Sequence, residues 1–222
     1  MRLRIGRLAV ACLLLAPALS AQEQQAPDNH AFGVLPNYRT AESSIPFQPI
    51  SAKRKLYIAT KDTVDGPSYV SAAIFAGIYQ ATNQNPSFGQ GVKGYGLRYV
   101  TSIADLDLGN YLTEGFMPAL LREDPRYFRL GAGSKTKRVL YALSRVLITR
   151  TDRDTRTFNF AEFLGNGITG AVGNAYYADD RGFGPTVQRT LTQIGNDSIA
   201  NLLREFWPDV KKHLIRHKQP KQ

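Results

Sequence analysis

Cysteine occurs once in the 222 residues, at Cys12, histidine three times and tryptophan once. A lone thiol closes no intramolecular disulfide and leaves no cysteine-ligated metal site. Histidine is confined to His30, His213 and His217, so the commonest general base is missing from the middle of the chain. The metalloprotease helix motif, the G-x-S-x-G elbow, the phosphate loop and the Rossmann fingerprint are all absent. No metal and no cofactor is implied. Acidic residues are scarce too, at 18 against 28 lysines and arginines, a formal net charge of +10. Long apolar runs are also lacking: the longest, residues 8–19, has 12 residues, short of the roughly 20 that cross a bilayer as a helix.

That one run carries an address. Arg2, Arg4 and Arg7 precede it, Ser20-Ala21 end it, and the polar Gln22-Glu23-Gln24-Gln25 follows. A basic start, a short apolar core and small residues at its end read as a secretory signal peptide over residues 1–21. Cleavage is expected after Ala21, with Ser20 the alternative; an uncleaved anchor is the competing reading. Cys12 lies inside this segment, too close to Arg7 to read as a lipidation site, so the mature chain would contain no thiol. Cleavage removes three basic residues and no acidic one, leaving 25 against 18, a net charge of +7. An exported basic protein, in the periplasm or cell envelope, is expected to meet an anionic surface or an envelope partner rather than nucleic acid. Peripheral membrane contact fits the same charge; a merely solubilising surface is the plainer reading. The oligomeric state stays open.

Residues 22–55 carry Pro27, Pro36, Pro46 and Pro49 without a sustained apolar period, and are read as an extended or partly disordered arm. The segment 56–60, Leu-Tyr-Ile-Ala-Thr, fits a short strand or the lead-in to a first helix. From there the period is helical. Asp65 is a candidate N-cap for a helix over residues 69–82, with Pro67 in its first turn. Residues 83–96, rich in Gly, Pro and Asn, are read as a loop with turn glycines. Residues 97–122 form one bent helix or two shorter ones, with Gly109 and Pro118 as irregularities. Ser134 caps the next, placing Val139, Leu140, Leu143, Val146 and Leu147 on one face. Asn159 and Glu162 have capping-box spacing ahead of a helix reaching about residue 177. The last starts near Gly184-Pro185, with Gly195 and Pro208 expected to bend or interrupt it. A basic tail over 218–222 follows, with fraying expected from His213. The chain is therefore expected to be all-α, a single-domain bundle of five or six helices over residues 56–217.

Three sets of residues are candidates for function. Asp105, Glu114, Glu123, Asp124 and Arg126 would be the catalytic groups of an enzyme if their side chains converge in one pocket; a helix-end network of carboxylates and arginine is the structural alternative. Lys135, Lys137, Arg138 and Arg145 form a basic helix face suited to an anionic surface. Gly167, Ala171 and Ala175 recur every four residues and make a small-residue ridge for close helix packing, as in membrane helix pairs. Residues 66–92 and 163–178 contain no charge at all. Soluble core helices and a membrane-associated helical assembly both fit that pattern. A histidine pair, His213 and His217, is four apart but has no evident carboxylate partner.

Several phrases belong together: Phe32-Gly33-Val34-Leu35-Pro36-Asn37-Tyr38-Arg39, Phe88-Gly89-Gln90-Gly91 with Gly94-Tyr95-Gly96, Glu123-Asp124-Pro125-Arg126-Tyr127-Phe128, Asn174-Ala175-Tyr176-Tyr177 and Glu205-Phe206-Trp207-Pro208-Asp209. With them the chain resembles a family of exported bacterial proteins of unknown function, over roughly residues 31–209. The resemblance implies export and an unassigned role, and no site residue follows from it. The function expected is that of a non-catalytic envelope protein that binds an anionic surface or partner; a membrane-associated assembly and an enzyme are the alternatives.

Overall fold

The computed structural model describes residues 30–31, 35–36 and 39–218. The signal segment, part of the proline-rich arm, the tail beyond residue 218 and the side chains of His213 and His217 lie outside the described residues.

The chain is mostly helical, as expected, with a few very short strands. Two of these, β1 (His30–Ala31) and β2 (Leu35–Pro36), pair antiparallel. A third, β3 (Thr40–Glu42), docks on the body: it runs parallel to β5 (Tyr127–Arg129), pairing Thr40 with Tyr127 and Glu42 with Arg129. The end of the arm is thus a strap across the Glu-Asp-Pro-Arg-Tyr-Phe segment. A three-stranded patch of β4 (Glu123–Asp124), β6 (Ile148–Thr151) and β7 (Arg156–Phe158) lies beside it.

Helix α1 (Ala52–Thr63) starts where the Ser51 hydroxyl accepts from the Arg54 amide. It takes in residues 56–60, which therefore form helix and not strand, and its first turn lies within the segment read as arm. Lys55 explains the choice, because only a helix turns its ammonium inward to Asp152 (2.7 Å) and the Pro118 carbonyl (3.2 Å). Helix α2 (Gly66–Ala81) has Pro67 in its first turn as expected, but the Asp65 side chain does not cap it.

Helix α3 (Gly91–Asn110) begins earlier than its sequence suggests. Gly89 in the preceding turn and Gly91 at the first position of α3 have positive φ, whereas Gly94 and Gly96 lie inside the helix. A Cβ at Gly94 would collide with the carbonyl of Gly89. The break after α3 is a π-helical turn, Tyr111–Phe116, followed directly by α4 (Met117–Leu121). Gly109 itself stays helical.

Helix α5 (Lys135–Ser144) is capped by Ser134 as expected, and α6 (Phe160–Val172) by Asn159, which accepts from the Glu162 amide at 3.2 Å. Helix α6 ends earlier than predicted, in a 3₁₀ turn at Gly173–Ala175. The last helix, α7 (Phe183–Lys218), runs 36 residues without interruption at Gly195 or Pro208, and its backbone stays helical through the histidines.

The interior is not a conventional hydrophobic core. Among the described residues only 11 hydrophobic side chains are buried, five of them alanines, while 12 charged ones are. Conversely, 29 large hydrophobic side chains among the described residues are exposed. Charged residues are almost never fully buried in soluble domains unless paired, so the sorting of this chain is largely inverted.

Candidate functional site

The buried charges form connected networks. At the centre, Arg39 from the strap donates to Glu114 on the π-helical turn at 2.7 Å and reaches Asp197 on α7 at 3.7 Å. Asp62 on α1 faces Glu114, and Glu162 on α6 faces Asp197, while Arg204 on α7 completes the group. No donor reaches either Asp62 oxygen or Glu114 Oε2; one proton shared between these carboxyls would join Glu114 Oε2 to one Asp62 oxygen and leave the other Asp62 oxygen without a donor. Burial pushes Glu114 and Glu162 well above the usual carboxyl range and raises Asp62. Burial, with the Arg39 charge beside it, lowers Arg204 to about 10.

A second network locks the strap segment to the helices. Glu205 on α7 accepts from Tyr127 Oη (2.8 Å), the amides of Leu130 and Gly131 (both 2.9 Å) and Arg138 Nε (2.7 Å). Arg138 also binds Asp209 and lies over the Phe206 ring. Of the basic face expected on α5, Lys135 and Lys137 are therefore exposed, Arg138 is buried and paired, and Arg145 lies against the Tyr141 ring. The stripe on that helix is likewise divided: Val146 is buried, but Leu140, Leu143 and Leu147 are exposed.

The five candidate catalytic residues are all turned inward, yet no single pocket gathers them. Glu123, Asp124 and Arg126 line a small cavity of about 50 Å³. There Glu123 accepts the amides of Phe160 (3.3 Å) and Ala161 (2.9 Å) at the start of α6, where backbone donors and the helix dipole favour an anion. Asp124 binds Arg126 at 2.6 Å, and Arg126 also donates to the Gln48 carbonyl. Glu114 belongs to the central cluster. Asp105 on α3 stands apart, its two oxygens accepting from Tyr176 Oη and from Tyr177 Oη (2.7 Å); burial raises it despite these donors.

Asp105 lines a larger cavity of about 220 Å³, bounded by α2, α3, α6 and α7. Helix α2 packs on α3, α7 on α6, and α3 meets α6. Thr113 and Asp197 line both cavities, so the two share part of a wall. Among the described residues, no group of three or more His, Cys, Asp or Glu side chains is arranged to hold a metal ion.

The predicted small-residue ridge faces the wrong way for packing within the chain. Ala171 and Ala175 are exposed and Gly167 partly so, and a Cβ at Gly167 would meet open space. The close approach is made by Gly165, where a Cβ would lie 2.7 Å from Thr113 Cγ2 and 3.1 Å from the Thr113 nitrogen. Sequence periodicity pointed to the right helix and missed its orientation, because a glycine every few residues leaves two small-residue rows and the polar Asn166 and Thr169 select the inner one.

Two further residues escaped sequence reading. Arg98, 1% exposed, donates to carbonyls of Gln84, Asn85 and Gly89 and to Gln80 Oε1, holding the loop between α2 and α3. Glu205 lay within a recognised phrase, but nothing local marked it as a hub.

The outer surface completes the picture. Among the described residues ten basic side chains are exposed: Lys53, Arg54, Lys93, Arg122, Lys135, Lys137, Arg153, Arg156, Arg181 and Lys212. Two acidic ones are, Asp154 and Asp179. Comparison of the chain with protein-family models, with curated proteins and with solved structures finds no match.

Proposed function

We propose that this chain is a membrane-associated envelope protein that lays apolar helix faces into lipid and sets its exposed lysines and arginines against anionic headgroups. The observation that carries this reading is the sorting of side chains: carboxylates inward, apolar and basic groups outward. A soluble monomer rarely exposes an apolar patch beyond a few hundred Å². Membrane-surface helices combine the two features seen outside this bundle, apolar groups for the acyl boundary and basic groups for the headgroups.

The outward face of α6 is the clearest case, with Phe160, Leu164, Ile168 and Val172 exposed and no charge between residues 163 and 178. Val70, Ile74 and Ile78 do the same on α2. No described helix is long and apolar enough to cross a membrane, so the reading is one of insertion at the interface. Each such side chain moved from water into lipid contributes about 1.5–3 kcal/mol.

Flotation with vesicles tests this. The full chain is expected to float with vesicles containing phosphatidylglycerol, to stay bound through a high-salt wash and to leave in detergent. Leu164→Glu with Ile168→Glu should cut the bound fraction without unfolding the protein. A monodisperse chain that stays in the aqueous phase, or one released by salt alone, overturns insertion.

A further inference from the structure

We propose that the cavity bounded by α2, α3, α6 and α7 binds a small organic cation with N–H donors, such as a primary ammonium. The inference is independent of the membrane reading.

The cavity wall has acceptors to offer. Asn85 Oδ1, Ser102 Oγ and Gln193 Oε1 all line it, are buried and have no hydrogen-bond partner. Asn85 as a whole is 5% exposed, and no donor of the chain reaches its Oδ1. A buried acceptor left unmade costs about 1–3 kcal/mol, which a ligand's N–H groups recover.

Charge selects the sign of the ligand. Three aspartates line the cavity, Asp105, Asp180 and Asp197, the last also 3.7 Å from Arg39, against one lining cation, Arg189. That guanidinium is committed: it donates to the carbonyls of Gly170 (3.2 and 3.1 Å) and Asp180 (2.8 Å) and to Asn174 Oδ1 (2.6 Å). An anion entering the cavity would find no free positive group among the lining residues. Asp105, by contrast, is held in one orientation by two tyrosine hydroxyls, each of which uses only one lone pair of its oxygen. The rings of Phe75, Tyr79 and Tyr177 also line the space, and aromatic faces attract cations at about 0.5–2 kcal/mol. Size limits the ligand, since about 220 Å³ falls below the roughly 300–1,000 Å³ of ordinary ligand pockets.

The test uses the full chain in a neutral detergent, which removes anionic lipid as a competing cation binder. Calorimetric titration compares 1,4-diaminobutane, n-butylammonium and 1,4-butanediol at one pH and ionic strength. The ammonium compounds are expected to bind saturably at one per chain, with the diol at least about tenfold weaker, since each tenfold is about 1.4 kcal/mol. Asp105→Asn, which keeps an oxygen for one tyrosine, should weaken ammonium binding by about tenfold or more. Absence of saturable binding, equal binding of the diol, or unchanged affinity in Asp105→Asn overturns the proposal. Should circular dichroism show that Asp105→Asn does not fold, Gln193→Leu decides: weakened ammonium binding supports the site, and unchanged binding overturns it.

Discussion

Glu205 on α7 accepts a hydrogen bond from Arg138 on α5 at 2.7 Å, with 0% and 8% of their side chains exposed. The pair sits where the strap segment, α5 and α7 meet, because the same carboxylate binds Tyr127 and two backbone amides. Removing one partner of a buried pair leaves the other charge uncompensated, at about 3–5 kcal/mol. Arg138→Ala is expected to cost about 3 kcal/mol in urea unfolding, the low end of that range, since Glu205 keeps three donors. A loss below about 1 kcal/mol, the level of an exposed pair, would mean that the hub is solvated.

The central carboxyls set a pH dependence of opposite sign to that of ordinary salt bridges. Burial holds Glu114 and Glu162 well above their usual value of 4.5, so between that value and the raised one the folded chain binds more protons than the unfolded chain. Stability is then fully present below about 4.5 and falls as pH rises through the raised range. Melting temperature should therefore increase as pH is lowered from neutral toward 5. Glu114→Gln should flatten the slope; a slope unchanged in that variant would assign it to other groups.

Glycines on the two rows of α6 should respond oppositely. Gly165→Ala forces a methyl against Thr113 and is expected to destabilise by about 1–3 kcal/mol. Gly167→Ala meets nothing and should stabilise by about 0.5–1 kcal/mol through the helix preference for alanine. Thermal unfolding of the two variants reads both, and a reversal would mean that α6 is rotated.

Lys135 and Lys137 are the exposed remainder of the α5 basic face. Reversing both to Glu should reduce binding to anionic vesicles at least about tenfold, given about 1 kcal/mol per basic residue near such a surface. Binding to neutral vesicles and the melting temperature should stay constant. An equal loss on both vesicle types would point to misfolding rather than headgroup contact.

Helices were legible in this sequence because caps and breakers are local: Ser134, Asn159 and the Pro67 first turn all act where the pattern placed them. What was illegible was direction. Apolar periodicity assigns the hydrophobic face to the inside, yet Leu140, Leu164 and Leu191 are exposed, while Arg98, Lys55 and Glu205 are interior. The inward face is chosen by ion pairs between residues 67 to 158 positions apart, such as Glu205 with Arg138 or Asp197 with Arg39, and no local pattern reports those. The candidate carboxylates stand out in the sequence as a polar group, but their division among three places depends on the same long-range pairings.

Helix α7 is about 54 Å long for its 36 residues. It carries Asp197, Arg204 and Glu205, the partners of charges set down earlier on the strap, the π-helical turn, α5 and α6. A break in the loop ahead of α7 would therefore leave those buried charges uncompensated together, and the damage would reach every element that the helix touches.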